Sequence, residues 1–271
     1  MKMCFGPSAL WSSPSAYYGA AGTAFRSARR FLYPCRCPFC GKVTEHVPCE
    51  QCEEPLRGLE RSPVRRLSPS EHYLGRLEGA ASVYHYKDAV RRAVLSAKYE
   101  GAAWYAEEFG PIMADRLFGA QSRMRFGVSF PQRALLEGAY DVIIPVPASG
   151  KERGYNIPQI LSLPLAEALR IPMAAGVLSA AGKKRRQAGL SMEERLENAA
   201  GAFTVCDPEP AEGRRVLLAD DVITTGATVS ACAQALLDAG AESVFAISFA
   251  AADPGRSRGS SEVFKTDGIA E

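Results

Sequence analysis

Asp220 and Asp221 stand side by side after the apolar run Val216–Ala219, and Val222, Ile223, Thr224, Thr225, Gly226, Ala227 and Thr228 follow. Such a run reads as a buried strand that leaves a sheet through two carboxylates into a loop of hydroxyls and small side chains. A helix over Ala227–Ala239 comes next, with Gly240 as its stop signal. In open α/β sheets, ligands bind beyond the carboxyl ends of the strands. A helix start adds unpaired N–H groups and the positive end of a dipole. Thr224, Thr225 and Thr228 add hydroxyl donors, and Gly226 lets a ligand approach the backbone closely. The loop is therefore a candidate phosphate cradle. The carboxylates would repel phosphate but accept hydrogen bonds from sugar hydroxyls. A phosphorylated ribose satisfies both halves, with its hydroxyls on Asp220 and Asp221 and its 5′-phosphate on Thr224–Thr228. The alternative is a surface turn with an ordinary cap at Thr224 or Thr225.

A second constellation lies near the N-terminus. Cys37, Cys40, Cys49 and Cys52 give C-x2-C-x8-C-x2-C, and Gly41 follows the first pair. Each pair can wrap one side of a tetrahedral ion, and thiolates suit zinc in a closed structural site. Gly41 suits the sharp turn around a metal. Cys35 and His46 are spare ligands. Free or redox-active thiols and an iron–sulfur cluster are the alternatives.

The totals bound these readings. The chain has 271 residues, is 47% hydrophobic and carries 32 basic against 30 acidic residues. That suffices for a sizeable core and gives no argument for nucleic acid or membrane from net charge. No apolar stretch approaches membrane-spanning length, and no signal-peptide core precedes Ser12. The expectation is a cytoplasmic protein, where the eight cysteines do not form a disulfide framework.

These residues need elements to position them. Residues 1–23 are expected to lack structure. Residues 24–56 combine a short helix, 24–33, with the cysteine knuckle. Residues 57–78 read as a linker. A domain over 79–252 then alternates: strand 81–86, helices 89–99 (with Asp88 as cap) and 104–117, a loop at 119–133, and strand 141–146. Helix 157–169, a short strand near 177–178, a short helix at 191–198, strands 202–205 and 216–219, the helix after Gly226 and strand 244–250 complete it. This order predicts an α/β fold, a parallel twisted sheet flanked by helices. The tail 253–271 is expected to be disordered.

The stretch DDVITTGAT (220–228) closely resembles the ribose-phosphate signature of type I phosphoribosyltransferases. The resemblance implies that Asp220 and Asp221 contact the ribose hydroxyls of phosphoribosyl pyrophosphate and that Thr224–Thr228 hold its 5′-phosphate. It also implies that pyrophosphate sits on Ala148, Ser149, Gly150 and Lys151, in the basic loop after DVIIPV, and that a mobile hood closes near 185–203. The four-cysteine knuckle, KYEG (98–101), PVP…RGYN (145–156) and QAGLS…GAF (187–203), in that order, are similar to the ComF competence family. Ile157–Pro158 departs from that family's usual continuation after the RGYN-type motif.

Two functions compete. One is a type I phosphoribosyltransferase that uses Mg²⁺ and displaces pyrophosphate from ribose C1 with a nitrogen nucleophile; its catalytic candidates are Asp220 and Asp221. The other is a non-catalytic accessory factor of competence that binds single-stranded DNA alongside competence proteins. Arg26, Arg29, Arg30 and Lys183–Arg186 would then contact phosphates, and Tyr84, Tyr86, Tyr99 and Trp104 would stack on bases. His72 and His85 read as structural rather than as bases. A dinucleotide-binding enzyme is set aside, because no G-x-G-x-x-G follows a strand.

Overall fold

A computed structural model of the chain describes residues 12–32, 34–62, 65–125, 128–134, 138–148, 154–180 and 201–253. Four strands form the main sheet: β1 (Gly79–His85), β4 (Val142–Pro145), β7 (Arg215–Ile223) and β8 (Ser243–Ala251). Their order is β1-β8-β7-β4, and every pairing is parallel. These are the near-continuous apolar runs expected of strands buried on both faces.

Side chains alternate across each strand, so the sheet divides two cores. Ile143, Leu217, Ala219, Ile247 and Phe249 face one core. Helices α4 (Asp88–Tyr99), α5 (Tyr105–Phe118) and α6 (Ile157–Leu169) fill it. Val142, Ile144, Val216, Leu218, Val244 and Ala246 face the other, against α7 (Ala227–Asp238). Arg215 holds Asp141 through two side-chain bonds, Nε–Oδ2 at 3.0 Å and Nη2–Oδ1 at 2.8 Å, which pins β7 to the entry of β4.

The fold class matches the expectation, with local differences. Residues 14–18 and 20–23, expected to lack structure, are helical, in α1 (Pro14–Tyr18) and α2 (Ala20–Leu32). The Ser13 hydroxyl caps α1 by accepting from Ala16 N at 3.1 Å. Arg26, Arg29 and Arg30 turn inward rather than toward a nucleic acid. Arg26 lies 3.8 Å above the Tyr17 ring, Arg29 grips Glu107 with two 2.8 Å bonds, and Arg30 pairs with Glu108.

The segment at 57–78 is no free linker. Arg61 N and Leu67 N donate to Val83 O and Ala80 O, each at 2.8 Å, so the chain runs along the outer edge of β1 and covers it. Leu67, Leu74 and Leu77 enter the α7-side core. The expected loop at 119–133 contains an antiparallel hairpin, β2 (Ser122–Arg125) and β3 (Val128–Pro131). Strand β6 (Phe203–Val205) leaves the main sheet and pairs with β5 (Leu178–Ala180). Asp88 makes no capping bond; Lys87 holds the cap position of α4. Pro158 sits in the first turn of α6, where its missing N–H costs nothing. The expected helix at 191–198 lies outside the described residues.

Candidate functional site

Strand β7 is longer than its apolar run. It continues through Ile223, so Asp220 and Asp221 are strand residues and not the start of the loop. Parallel pairing with β8 carries the ladder onward, with Val222 and Ile223 opposite Ala250 and Ala251. As strand neighbours the two acids face opposite cores, and both are buried. Asp221 turns to α4, where its Oδ2 pairs with Lys98 Nζ. Asp220 turns to α7. Its Oδ1 accepts from Asp221 N at 2.8 Å, and its charge reaches the buried Cys232 thiol.

The electrostatics follow from this split. Burial first, then the neighbouring Asp221 carboxylate, push the Asp220 carboxyl well above the usual carboxylate range. Burial works against the Lys98 ammonium, but Asp221 outweighs it and raises Lys98 above the ordinary lysine value. Burial raises the Tyr86 phenol, and both Lys98 and Asp221 act on it through space. Lys98 is the site residue that sequence reasoning misses. Its only trace is KYEG, which carries no spacing to Asp221.

The loop beyond β7 leads into α7 as expected. Thr224 and Thr228 are exposed, and Thr225 and Ala227 are half-buried. The Thr225 hydroxyl accepts from Ala227 N at 3.4 Å. Gly226 caps α7 at φ 88°, in the left-handed region. The need for glycine comes from an unexpected direction. A Cβ at Gly226 would meet the Tyr73 carbonyl oxygen at 2.2 Å. Tyr73 N donates to Thr225 O at 2.8 Å, and Ser230 Oγ donates to Tyr73 O at 2.8 Å. The segment read as a linker is therefore strapped across the cradle loop.

On the next strand over, Ala148 is exposed just past β4. Ser149, Gly150 and Lys151 lie outside the described residues, as do Lys183–Arg186 and most of 185–203. Asn156 Nδ2 donates to Val146 O at 2.9 Å and closes the base of the chain leaving β4. His72 and His85 both serve the structure. His72 Nε2 meets Ala252 O at 2.9 Å, and His85 Nδ1 meets Asp253 Oδ1 at 2.7 Å. Of the aromatics considered for base stacking, Tyr84 is fully buried, while Tyr99 and Trp104 are exposed.

The cysteines converge. The Sγ atoms of Cys37, Cys40, Cys49 and Cys52 lie within 4.8 Å of one another, with Cys40 and Cys49 at 3.6 Å. Tetrahedral zinc with Zn–S near 2.3 Å puts neighbouring sulfurs about 3.8 Å apart. Gly41, at φ 75°, turns the chain so that its N–H reaches Cys37 O at 2.8 Å. Helix α3 (Glu50–Arg57) carries the last cysteine in its first turn. Cys35 and His46 are not in the cluster; Cys35 Sγ sits 3.6 Å from Glu108 instead. Phe39, between the first two cysteines, packs against Tyr84 and Phe249 and docks the knuckle onto β1 and β8.

Among the described residues, no helix is long and apolar enough to cross a membrane. The phosphoribosyl transferase domain family matches residues 132–268. Competence protein F of Haemophilus influenzae is 35% identical over 108 residues, which are 38% of this chain and 47% of that protein. DNA utilization protein YhgH of Escherichia coli O157:H7 is 26% identical over 233 residues, covering 84% of this chain and 88% of that protein. Competence protein ComFC of Bacillus subtilis is 26% identical over 208 residues, covering 75% and 72%. The chain thus spans under half of competence protein F but most of the other two. With its domain match and its four-cysteine cluster, the chain belongs to the phosphoribosyl transferase domain family, in the company of the competence F proteins.

Proposed function

We propose that the chain binds phosphoribosyl pyrophosphate, or a related ribose 5-phosphate compound, with Mg²⁺ and transfers the phosphoribosyl group to a nitrogen nucleophile. The observation that carries this reading is the end of β7. Two carboxylates and the segment Thr224–Thr228 occupy the carboxyl edge of a parallel sheet, running into the first turn of α7. Ribose hydroxyls would meet the acids and the 5′-phosphate would meet the loop. Ala148, Ser149, Gly150 and Lys151 are the proposed pyrophosphate contacts.

In the transfer, the nitrogen lone pair forms the new bond to C1 as the C1–oxygen bond breaks. Pyrophosphate leaves with the bonding pair, and the proton released by the nitrogen passes to solvent water. The protein's part is to position the ribose and to stabilise charge near C1. The described acids and hydroxyls at the end of β7 offer oxygen donors, which suit Mg²⁺. When bound, Mg²⁺ neutralises pyrophosphate charge. Zinc is the proposed occupant of Cys37, Cys40, Cys49 and Cys52, as a closed structural site that takes no part in the reaction.

Calorimetry with phosphoribosyl pyrophosphate and Mg²⁺ tests the binding, on the wild type and on an Asp220→Asn/Asp221→Asn double variant. Wild-type binding that weakens at least about tenfold in the variant supports it; equal affinities sink the role of the acids. Pyrophosphate release with a panel of bases and amines tests the transfer.

The names of the competence and DNA-utilization relatives favour a second reading, an accessory factor that binds single-stranded DNA. The inward-facing Arg26, Arg29 and Arg30 weigh against it. A gel shift at low salt decides, and absence of binding removes it.

A further inference from the structure

The last turn of α4 is fastened to both sides of the proposed ligand site. Lys98 Nζ pairs with Asp221 on β7. The carbonyl one residue earlier, of Ala97, accepts a 2.9 Å hydrogen bond from the Tyr155 hydroxyl. Tyr155 precedes Asn156, whose amide closes the base of the chain leaving β4. One helical turn therefore joins the acid end of β7 to the foot of the β4 loop.

Packing does not account for a lysine at this position. The core face of α4 is Val90, Ala93, Val94 and Ala97. The Lys98 side chain keeps 22% of its surface exposed, against 6% for Asp221. Lys98 is thus the more open partner of the pair. Lysine is a compact charge on a flexible stem with three donors, so it can change partners while the helix stays still.

We propose that Lys98 is a cation that recognises the diphosphate of the incoming ligand. Before binding it holds Asp221. As the ligand seats, the ammonium moves to a diphosphate oxygen and frees the Asp221 oxygens for ribose hydroxyls. The ammonium keeps an anionic partner throughout, the Asp221 carboxylate exchanges its cation for hydroxyl donors, and no covalent bond changes. The inference rests on the ribose-phosphate reading and adds the residue that separates a ligand with diphosphate on C1 from one with a 5′-phosphate alone. Ribose 5-phosphate has nothing on C1 to offer Lys98 and must compete with it for Asp221.

Calorimetric titration of the wild type, Lys98→Met and Lys98→Arg with phosphoribosyl pyrophosphate and Mg²⁺, and separately with ribose 5-phosphate and Mg²⁺, tests this. The expected result for Lys98→Met is a loss of about tenfold or more for phosphoribosyl pyrophosphate, with partial recovery in Lys98→Arg, and an unchanged or tighter affinity for ribose 5-phosphate. Equal losses for both ligands would make Lys98 a structural brace and overturn the inference, as would unchanged diphosphate affinity. Should Lys98→Met melt below the assay temperature, Lys98→Gln carries the same expectation, because it keeps a donor toward Asp221 without the charge. A wild type that binds neither ligand sinks the ribose-phosphate reading itself, a failure distinct from that of the lysine.

Discussion

Four thiols from one short segment face one another within 4.8 Å, and the chain around them supplies its own turns. The end of β7 is built differently. Asp221 depends on Lys98 of α4, Gly226 on the backbone of Tyr73, and the ladder on β8. One region is assembled locally around a common centre; the other is assembled by the whole fold. The cysteine cluster can therefore be taken apart by removing a single atom type. The β7 end responds to changes in residues distant along the chain, and its two acids respond differently from each other.

The largest effect is expected where the local region is broken. Cys40→Ser removes one of four thiolates, and structural zinc sites contribute roughly 10 kcal/mol or more to folding in small zinc domains. Zinc measured by elemental analysis should fall from about one per chain to near none, with a markedly lower melting temperature. Full zinc retention would show that the cluster does not need all four sulfurs.

Gly226→Ala breaks the second region from a distance. Its Cβ would lie 2.2 Å from the Tyr73 carbonyl oxygen at a φ that side chains rarely adopt. Backbone strain and the clash together should cost about 2–4 kcal/mol, read as a shift in the denaturation midpoint. A variant as stable as the wild type would show that the strap at Tyr73 yields.

The finest contrast is between the adjacent acids. Asp221→Asn leaves Lys98 without its carboxylate and should destabilise the fold by about 2–3 kcal/mol, at the lower end for a buried pair because Lys98 is partly exposed. Asp220→Asn should act in the opposite direction at neutral pH. The Asp220 carboxyl is raised in the folded state, so the fold binds a proton that the unfolded chain has already released above its ordinary pKa of about 4. This contribution is fully present below that value and is lost as pH rises through the folded pKa. Thermal melts from acidic to neutral pH should show the wild type losing ground to Asp220→Asn as pH rises. Parallel curves would place Asp220 in a more polar setting.

The cysteine spacing and the DDVITTGAT run are legible in sequence because each is local, with turn chemistry and ligand type set within a few residues. The near-continuous apolar runs of β4, β7 and β8 announce a parallel sheet for the same reason. What the sequence hides is nonlocal. The apolar run of β7 ends at Ala219, yet pairing with β8 extends the strand to Ile223 and separates the acids. The polar stretch at 57–78 resembles a linker because its hydrogen bonds go to the edge of β1 and to Thr225, partners that no periodicity reveals. Arg26, Arg29 and Arg30 read as candidate phosphate contacts because Glu107, Glu108 and the Tyr17 ring that engage them lie on other elements.

The strap over the cradle loop has a consequence for how this protein tolerates change. The hydrogen bonds that Tyr73 makes to Thr225 and Ser230 use its main-chain N–H and C=O. Those atoms are common to every residue but proline, whose N–H is missing. Position 73 can therefore drift through most side chains without loosening the strap, while position 226 has no such latitude. An interaction written in backbone atoms leaves one partner free to vary and the other fixed, and a library randomised at both positions should recover that asymmetry.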